Sequence, residues 1–142
     1  MKRKASAVWT GTLKEGKGTL TTGSGALETH PYSFGSRFEE QAKPGANPEE
    51  LLAAAMAGCF TMALGAELGK AGHTPEELRT EATAEMKNDG TRWSIDNMHL
   101  VLRGRVPGVD EAEFRRVAEA TKQNCIVSRA LNVQFTLDAK LE

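Results

Sequence analysis

The feature that most constrains this chain is an apolar run in its middle, from Leu51 to Ala66 (LLAAAMAGCFTMALGA). Every residue in the run except Thr61 is apolar or small. The preceding Asn-Pro-Glu-Glu at 47–50 is typical of a helix start, with Asn as N-cap and Pro at the first helical position. We predict a helix that extends to Gly72, a residue suited to the position just after a helix end. A helix that is apolar on every side must be covered on every side.

The length of this helix and the size of the chain indicate what covers it. The run is followed at once by Glu67 and is shorter than the roughly 20 residues that a membrane span needs, so we predict a buried core helix. The 142 residues fit a single domain, 1–142. A single sheet covers one face of the helix. Because few residues remain to cover the rest, an obligate homodimer is the natural expectation.

Charge and cysteine content narrow the class of protein. Eighteen basic and nineteen acidic residues are interspersed and leave a formal charge of -1, which argues against a nucleic-acid partner. The basic start of the chain has no apolar segment behind it, so we predict no secretory signal and a cytoplasmic protein. In that compartment a static disulfide is disfavoured. The two cysteines are then either redox-active or small core hydrophobes, and both alternatives stay open at this point.

The pattern along the chain predicts an α+β fold, with antiparallel sheets packed on the long helix. Three strand-rich runs at 5–13, 18–22 and 27–34 predict a β-meander, which Lys43-Pro44-Gly45 ends. After the long helix, residues 74–77 (TPEE) predict a short helical turn that leads into a strand. Asn88-Asp89-Gly90 predicts a hairpin.

The second half of the hairpin has alternating faces. Met98, Leu100 and Leu102 are predicted on the buried face, with His99 and Arg103 on the other. A further helix is predicted from Asp110 to just before Cys125, and a last strand around 133–137.

Several kinds of site have no support in the sequence. His30, His73 and His99 show no ligand spacing, and there is no C-x-x-C or H-E-x-x-H pattern, so no metal is predicted. The sequence has neither a G-x-S-x-G nucleophile elbow nor a P-loop, and no cofactor is predicted. The remaining candidate for chemistry is Cys59.

Cys59 lies in the middle of the predicted helix, next to Gly58, which leaves room for a small reactant. A thiol in apolar surroundings is inert unless a nearby cation stabilises its thiolate. The candidate cation is Arg37. It lies between Phe34 and Phe38, which predicts an apolar environment in which its planar guanidinium holds a thiolate or a peroxide oxygen. The alternative is an ordinary edge-strand arginine in water.

Glu49 or Glu50 is a candidate partner for that arginine, because a carboxylate holds a guanidinium through two parallel hydrogen bonds. Glu49 precedes Cys59 by ten residues on one helix, which is roughly 15 Å along the axis. Either the arginine bridges toward the sulfur, or a helix of another subunit completes the site. The alternative is that Glu49 is a first-turn acid favoured by the helix dipole.

Several short motifs, distributed over nearly the whole chain, resemble the OsmC/Ohr family of thiol peroxidases, and its OsmC branch in particular. The matching stretches include Arg37-Phe38-Glu39, Asn47-Pro48-Glu49-Glu50, Gly58-Cys59-Phe60, Val106-Pro107-Gly108 and Cys125-Ile126-Val127-Ser128. The resemblance implies an OsmC-like fold in intertwined homodimers. It also implies that Cys59 is the peroxidatic cysteine, Cys125 the resolving one, Arg37 the cation that activates the thiolate and Glu49 its carboxylate partner.

The implied activity is reduction of organic hydroperoxides to alcohols, and more slowly of hydrogen peroxide, in oxidative or osmotic stress defence. A sulfenic acid on Cys59 would condense with Cys125, and an external dithiol would exchange the disulfide; lipoylated proteins are among the donors of the family. Ile126 stands where the family often has proline. A different class of function remains as the alternative: a dimeric stress-related binding protein with inert, buried cysteines.

Overall fold

The computed structural model of this chain describes residues 1–39 and 44–142. Contacts within it cluster into two compact units, Met1–Leu51 and Leu52–Glu142, and each is described by itself. The single domain expected from the sequence stays a prediction.

The first unit opens with a three-stranded antiparallel meander, as predicted. Its strands are β1 (Ala5–Thr10), β2 (Lys17–Thr22) and β3 (His30–Tyr32), in that spatial order. β3 is shorter than the predicted run because Thr29 has a φ of 48°, outside the extended region, and a helix begins after Ser33. Gly18 is required by packing, since a Cβ there would lie 2.3 Å from the ring of Tyr32.

A short helix, α1 (Phe34–Phe38), follows β3 and was not predicted. Its signal is a capping box: Ser36 donates its backbone N–H to Ser33 Oγ, and Ser33 donates its own to Ser36 Oγ. Five residues are too few for helical periodicity to be visible in a sequence. Of the predicted break at 43–45, Lys43 lies outside the described residues, and Pro44 and Gly45 form a bend.

The long helix, α2 (Pro48–Lys70), begins and ends as predicted. Asn47 Oδ1 accepts hydrogen bonds from the backbone of Glu49 and Glu50, at 3.0 and 3.2 Å. At the other end, Gly72 has a φ of 87°, and the N–H groups of Gly72 and His73 donate to the last turn in a Schellman arrangement.

One face of α2 contributes to the core of the second unit. Its fully buried side chains are Met56, Phe60, Leu64 and Leu68, which recur every four residues. By length and composition this 23-residue helix is also apolar enough to span a membrane. Of its most apolar 18-residue segment, 28% is buried inside the protein. The core helix of a soluble protein passes the same test, and the burial of every fourth residue against a sheet is typical of such a helix.

The second unit also contains strands β4 (Glu77–Asn88), β5 (Trp93–Arg105) and β6 (Gln134–Leu141) and helices α3 (Glu111–Asn124) and α4 (Ile126–Ala130). β4 and β5 form the predicted hairpin, and Met98, Leu100 and Leu102 on β5 are fully buried, as predicted. Phe114 of α3 packs over Gly104, where a Cβ would lie 2.5 Å from its ring. The α+β class with two sheets and a long helix is therefore confirmed.

Two details of the second unit differ from the expectation. β6 pairs parallel to β5, so this sheet is mixed, whereas we expected antiparallel pairing throughout. The reason is the connection: α3 carries the chain back along the sheet, and the next strand then starts from the same end as β5. The predicted helical turn at 74–77 is also absent, because Glu76 donates its N–H to the carbonyl of Arg105 and extends the sheet instead.

The parallel pairing is supported by an ion pair on the outer face of the sheet. Arg103 Nη2 donates to Asp138 Oδ2 at 2.8 Å. This hydrogen bond holds the pKa of Asp138 below its usual range.

Candidate active site

The clearest polar pair in the first unit is formed by Arg37 and Glu49. The Nε of Arg37 donates to both carboxylate oxygens, at 2.9 and 3.2 Å, and its Nη2 donates to Oε1 at 2.6 Å. The Glu49 side chain is 10% exposed, whereas the Arg37 side chain is 41% exposed. The carboxylate is therefore largely buried and neutralised, while part of the guanidinium still faces solvent.

Local structure holds Arg37 in this position. The arginine lies on α1, so the alternative of an edge-strand arginine is wrong in its secondary structure. Ser36 Oγ donates to the carbonyl of Ala46 at 3.1 Å, and Asn47 Nδ2 donates to the carbonyl of Ser36 at 3.3 Å. These bonds tie α1 to the start of α2, which carries Glu49, so both partners are fixed by backbone and side-chain hydrogen bonds.

The guanidinium of Arg37 contacts an aromatic ring and lines a mostly apolar cavity. The Cζ of Arg37 lies 4.9 Å from the centre of the Phe38 ring, within range for a cation–π contact. A cavity of about 260 Å³ lies beside it in the same unit. Its lining is Trp9, Leu13, Tyr32, Ser33, Phe34, Arg37 and Phe38. Arg37 is the one charged residue in this lining, so the cavity combines an apolar wall with a hydrogen-bond donor.

Cys59 lies on α2, as predicted, and belongs to the second unit. Its side chain is half-buried and packs against the hydrophobic core, and its thiol is free. Thr61, close by on the helix, donates to the carbonyl of Ala57 and is hydrogen-bonded to Thr80 of β4 at 2.7 Å. No atom lies within 4 Å of the position that a Cβ on Gly58 would take, so there is open space beside Cys59.

Cys125 is buried, with 4% of its surface exposed, and its thiol is also free. It ends α3 and caps α4, where the N–H of Ser128 lies 3.5 Å from its Sγ. The same sulfur lies 3.3 Å from Ser128 Oγ and 3.9 Å from Met56 Sδ. Ile126, the departure from the family pattern, is 81% exposed and begins α4.

The two cysteines belong to one neighbourhood, although they are not within disulfide distance. Met56 precedes Cys59 by three residues on α2, so Cys125 packs against the helical turn just before Cys59. The sequence-based reasoning missed Met56 and the role of Ser128. The Cys-x-x-Ser spacing at 125–128 is the signal that predicts a cap at this point.

The residues that the structure describes contain no cluster of side chains that could bind a metal ion. No group of three or more His, Cys, Asp or Glu side chains there is arranged to hold a metal ion. His99 is hydrogen-bonded to Thr136 at 2.7 Å, and His73 lies 3.6 Å from the carboxylate of Glu113. These two histidines therefore each have a local structural partner.

Comparison with known proteins shows the family of this chain. The model of the family described as OsmC-like protein matches residues 40–138. Peroxiredoxin OsmC of Escherichia coli K12 is 41% identical over 140 residues, covering 99% of this chain and 96% of that protein, and Peroxiredoxin OsmC of Shigella flexneri matches equally. The chain belongs to the OsmC-like family. Its relationship to these peroxiredoxins supports a peroxiredoxin-like peroxidase activity.

Solved structures of OsmC and Ohr proteins have the same fold. The organic hydroperoxide resistance protein OhrB of Bacillus subtilis has a TM-score of 0.73 at 23% identity and covers 96% of this chain and 98% of its own. An OsmC-like protein of unknown function from Vibrio cholerae has a TM-score of 0.77 at 14% identity, covering 99% of both chains. At these identities the likeness establishes the fold of an OsmC-like protein.

Proposed function

We propose that this OsmC-like protein reduces organic hydroperoxides to alcohols, and hydrogen peroxide more slowly, with Cys59 as the peroxidatic cysteine. The observation that carries the proposal is the arginine held by a largely buried glutamate beside an apolar cavity. A guanidinium fixed by a carboxylate is a preorganised donor for a thiolate or for a departing oxygen. The aromatic lining favours alkyl or aryl hydroperoxides, because burying their carbon skeleton is favourable.

The reaction follows from the residue types. The Cys59 thiolate attacks the distal oxygen of the hydroperoxide, the O–O bond breaks and the alcohol leaves after taking up a proton. The sulfenic acid on Cys59 then condenses with the Cys125 thiol, which releases water and forms a disulfide. A dithiol reductant exchanges this disulfide. The two sulfurs must approach before they can bond, and the packing of Cys125 on the turn next to Cys59 supports a short path.

The role assigned to Arg37 favours a homodimer. Glu49 and Cys59 are ten residues apart on α2, and Arg37 is held at Glu49, so we assign the Arg37–Glu49 pair of one copy to the Cys59 of the other. An exposed apolar face of α2, opposite its buried face, supports the second copy. It consists of Leu51, Ala55, Gly58, Met62 and Ala66. A cytoplasmic location remains a prediction.

The test is consumption of cumene hydroperoxide and of hydrogen peroxide, with a dithiol and with a monothiol as reductant. Cys59→Ser should abolish turnover while the protein stays folded, since a hydroxyl of similar size cannot form a sulfenic acid. Turnover retained in Cys59→Ser would refute the assignment of the peroxidatic cysteine.

A second assay separates this proposal from the binding protein with inert cysteines. Alkylation of the native protein should modify a reactive thiolate quickly near neutral pH, whereas an inert buried thiol reacts only after unfolding. Quantitative labelling that requires denaturant for both cysteines would favour the binding protein.

A further inference from the structure

The sulfur of Cys125 is held between two helices of the second unit. On the side of α2 it lies 3.9 Å from Met56 Sδ. On the side of α4 it lies 3.3 Å from the Oγ of Ser128 and 3.5 Å from the backbone N of the same residue. Cys125 and Ser128 are 4% and 7% exposed. Ser128 therefore supplies two polar contacts to a nearly buried sulfur, and the peroxide step does not use this residue.

The hydroxyl of Ser128 has a second partner, which lets it respond to the protonation state of the thiol. The thiol of Cys125 donates to Ser128 Oγ, and the hydroxyl donates in turn to the carbonyl of Cys125 at 2.9 Å. A hydroxyl hydrogen rotates to suit its acceptor. Once the thiol has lost its proton, the hydroxyl turns from the carbonyl to the thiolate, which then accepts from both the O–H and the N–H of Ser128. The carbonyl keeps the N–H of Arg129 at 3.1 Å, so it is not left without a hydrogen bond.

The cationic side chains of the neighbouring helices are directed to acidic partners. The ion pairs are Lys70–Glu67 on α2 and Arg116–Glu113 and Lys122–Glu119 on α3. Arg129, which follows Ser128 on α4, is exposed at the surface. Because each of the three paired cations compensates a carboxylate, the hydrogen bonds from Ser128 are the contacts through which these surroundings stabilise a thiolate on Cys125.

We propose that Ser128 is a positioning residue that supports the ionisation of Cys125 and thereby sets the rate at which this cysteine attacks the Cys59 sulfenic acid. The inference rests on the proposed function, because it requires that sulfenic acid as the partner. Hydrogen bonds to the charged form of a group favour that form, and the thiolate is the nucleophilic form of a cysteine. Ser128 therefore acts on closure of the disulfide and not on the attack on the peroxide.

The step balances without a further reactant. The Cys125 thiol loses its proton to water, which has access to this residue through a cavity of about 460 Å³ that Cys125 helps to line. The thiolate donates an electron pair to the sulfur of Cys59, the S–S bond forms and the S–O bond of the sulfenic acid breaks. The leaving hydroxide takes up a proton and becomes water. Cys125 is oxidised, the sulfenic sulfur is reduced to the level of a disulfide, and the proton that the thiol loses balances the proton that the hydroxide gains.

Rapid quenching of a single turnover tests this inference. Reduced protein is mixed with one equivalent of cumene hydroperoxide and quenched with acid at set times, and peptide mapping gives the fraction of Cys59–Cys125 disulfide. Ser128→Ala should consume the peroxide as fast as the wild type. Its disulfide should close roughly tenfold more slowly near neutral pH, as for the loss of a hydrogen bond to a charged group. At about pH 10, where an ordinary thiol is already ionised, both proteins should close the disulfide at the same rate.

Two further variants separate the hydroxyl of Ser128 from the packing around it. Ser128→Thr keeps the hydroxyl and should close the disulfide near the wild-type rate at neutral pH. Thr121→Val is the matched control, because it removes another buried hydroxyl, one turn before Cys125 on α3. That hydroxyl donates to the carbonyl of Val117 at 2.8 Å, and its loss should leave the rate of closure unchanged at both pH values.

The outcomes distinguish failure of this inference from failure of the proposed function. If peroxide produces no Cys59–Cys125 disulfide in the wild type, both fail. If the disulfide forms and Ser128→Ala closes it at the wild-type rate near neutral pH, the role of Ser128 alone fails. A loss of equal size at neutral pH and at about pH 10 would make Ser128 a packing contact and overturn its support of ionisation. A Ser128→Thr protein as slow as Ser128→Ala would overturn it as well.

Discussion

At the scale of single residues, the arrangement around Arg37 separates two tasks. The buried carboxylate of Glu49 fixes the guanidinium through three short contacts, and the exposed part of the guanidinium keeps donors for a reactant. A lysine at this position retains the charge but lacks the planar fork. Replacing Arg37 by lysine therefore tests the geometry of the guanidinium separately from its charge.

Arg37→Lys should lower kcat/KM for cumene hydroperoxide at least about tenfold, because a lysine cannot hold a carboxylate and a reacting oxygen in one planar fork. Glu49→Gln should be impaired similarly, and the double variant should lose little more than either single one, since the two residues act as a unit. Steady-state kinetics of the three variants provide the measurement.

The matched control for this cycle is Arg79→Lys. Arg79 pairs with Glu77 at the surface, with 70% of its side chain exposed, so this change should leave kcat/KM unaltered. Additive losses in the Arg37–Glu49 cycle would mean that the two residues act separately.

Cys125→Ser should keep the first step of the reaction and lose the second. One equivalent of hydroperoxide is still reduced, but the sulfenic acid on Cys59 has no thiol partner. Under excess peroxide it should then advance to the irreversible sulfinic acid. Stopped-flow measurement should show a burst of about one turnover per subunit, and mass spectrometry a gain of two oxygens on Cys59. Dithiol-driven cycling at the wild-type rate would point to a one-cysteine mechanism.

At the scale of elements, a close contact between Phe114 and β5 helps to pack α3 onto the sheet. Phe114 is fully buried, and its ring occupies the space where a side chain on Gly104 would lie. A second attachment is the hydrogen bond from the N–H of Leu141 on β6 to Glu111 Oε2, at 3.0 Å. The side-chain hydrogen bond from Arg115, together with the bond from Leu141, holds the pKa of Glu111 below its usual range.

Gly104→Ala should therefore destabilise the protein by about 1–3 kcal/mol, because the added methyl group displaces a fully buried ring. Urea denaturation at a fixed protein concentration measures the change in the free energy of unfolding. Gly69→Ala is the control: Gly69 is exposed on α2 with no atom within 4 Å of a new Cβ, so alanine should stabilise by about 0.5–1 kcal/mol. Equal effects at the two positions would contradict the packing argument.

At the scale of the whole molecule, the exposed apolar face of α2 is the feature that a single copy leaves unexplained. Met62, in the middle of that face, is 78% exposed. A continuous exposed apolar face on a core helix is typical of a protein–protein interface. We therefore expect the proposed homodimer to form through this face.

Met62→Glu should convert the dimer to a monomer and abolish peroxidase turnover, since burying an unpaired charge at an interface is costly. Light scattering coupled to size-exclusion chromatography gives the mass of the species in solution. Ala112→Glu adds the same charge at an exposed position of α3 and should leave the dimer intact. A dimeric, active Met62→Glu protein would place the interface elsewhere.

The sequence by itself determined the elements that local signals specify. Asn47 and Gly72 set the limits of α2 because each satisfies backbone groups at a helix end. The alternation of Met98, Leu100 and Leu102 determined the buried face of β5, since side chains in a strand point to opposite sides in turn. The four candidate residues, Cys59, Cys125, Arg37 and Glu49, come from residue types and from the family pattern, and their catalytic roles stay a prediction.

Only the tertiary structure decided how these elements meet. The parallel pairing of β6 with β5 depends on the path of α3, which no local pattern records. The helix that carries Arg37 is too short for a periodic signal, and its contact with Glu49 joins residues twelve positions apart. Cys125 contacts Met56 across 69 positions. Such contacts are selected by the packing of the whole unit, because the free energy that fixes them comes from burying distant side chains together.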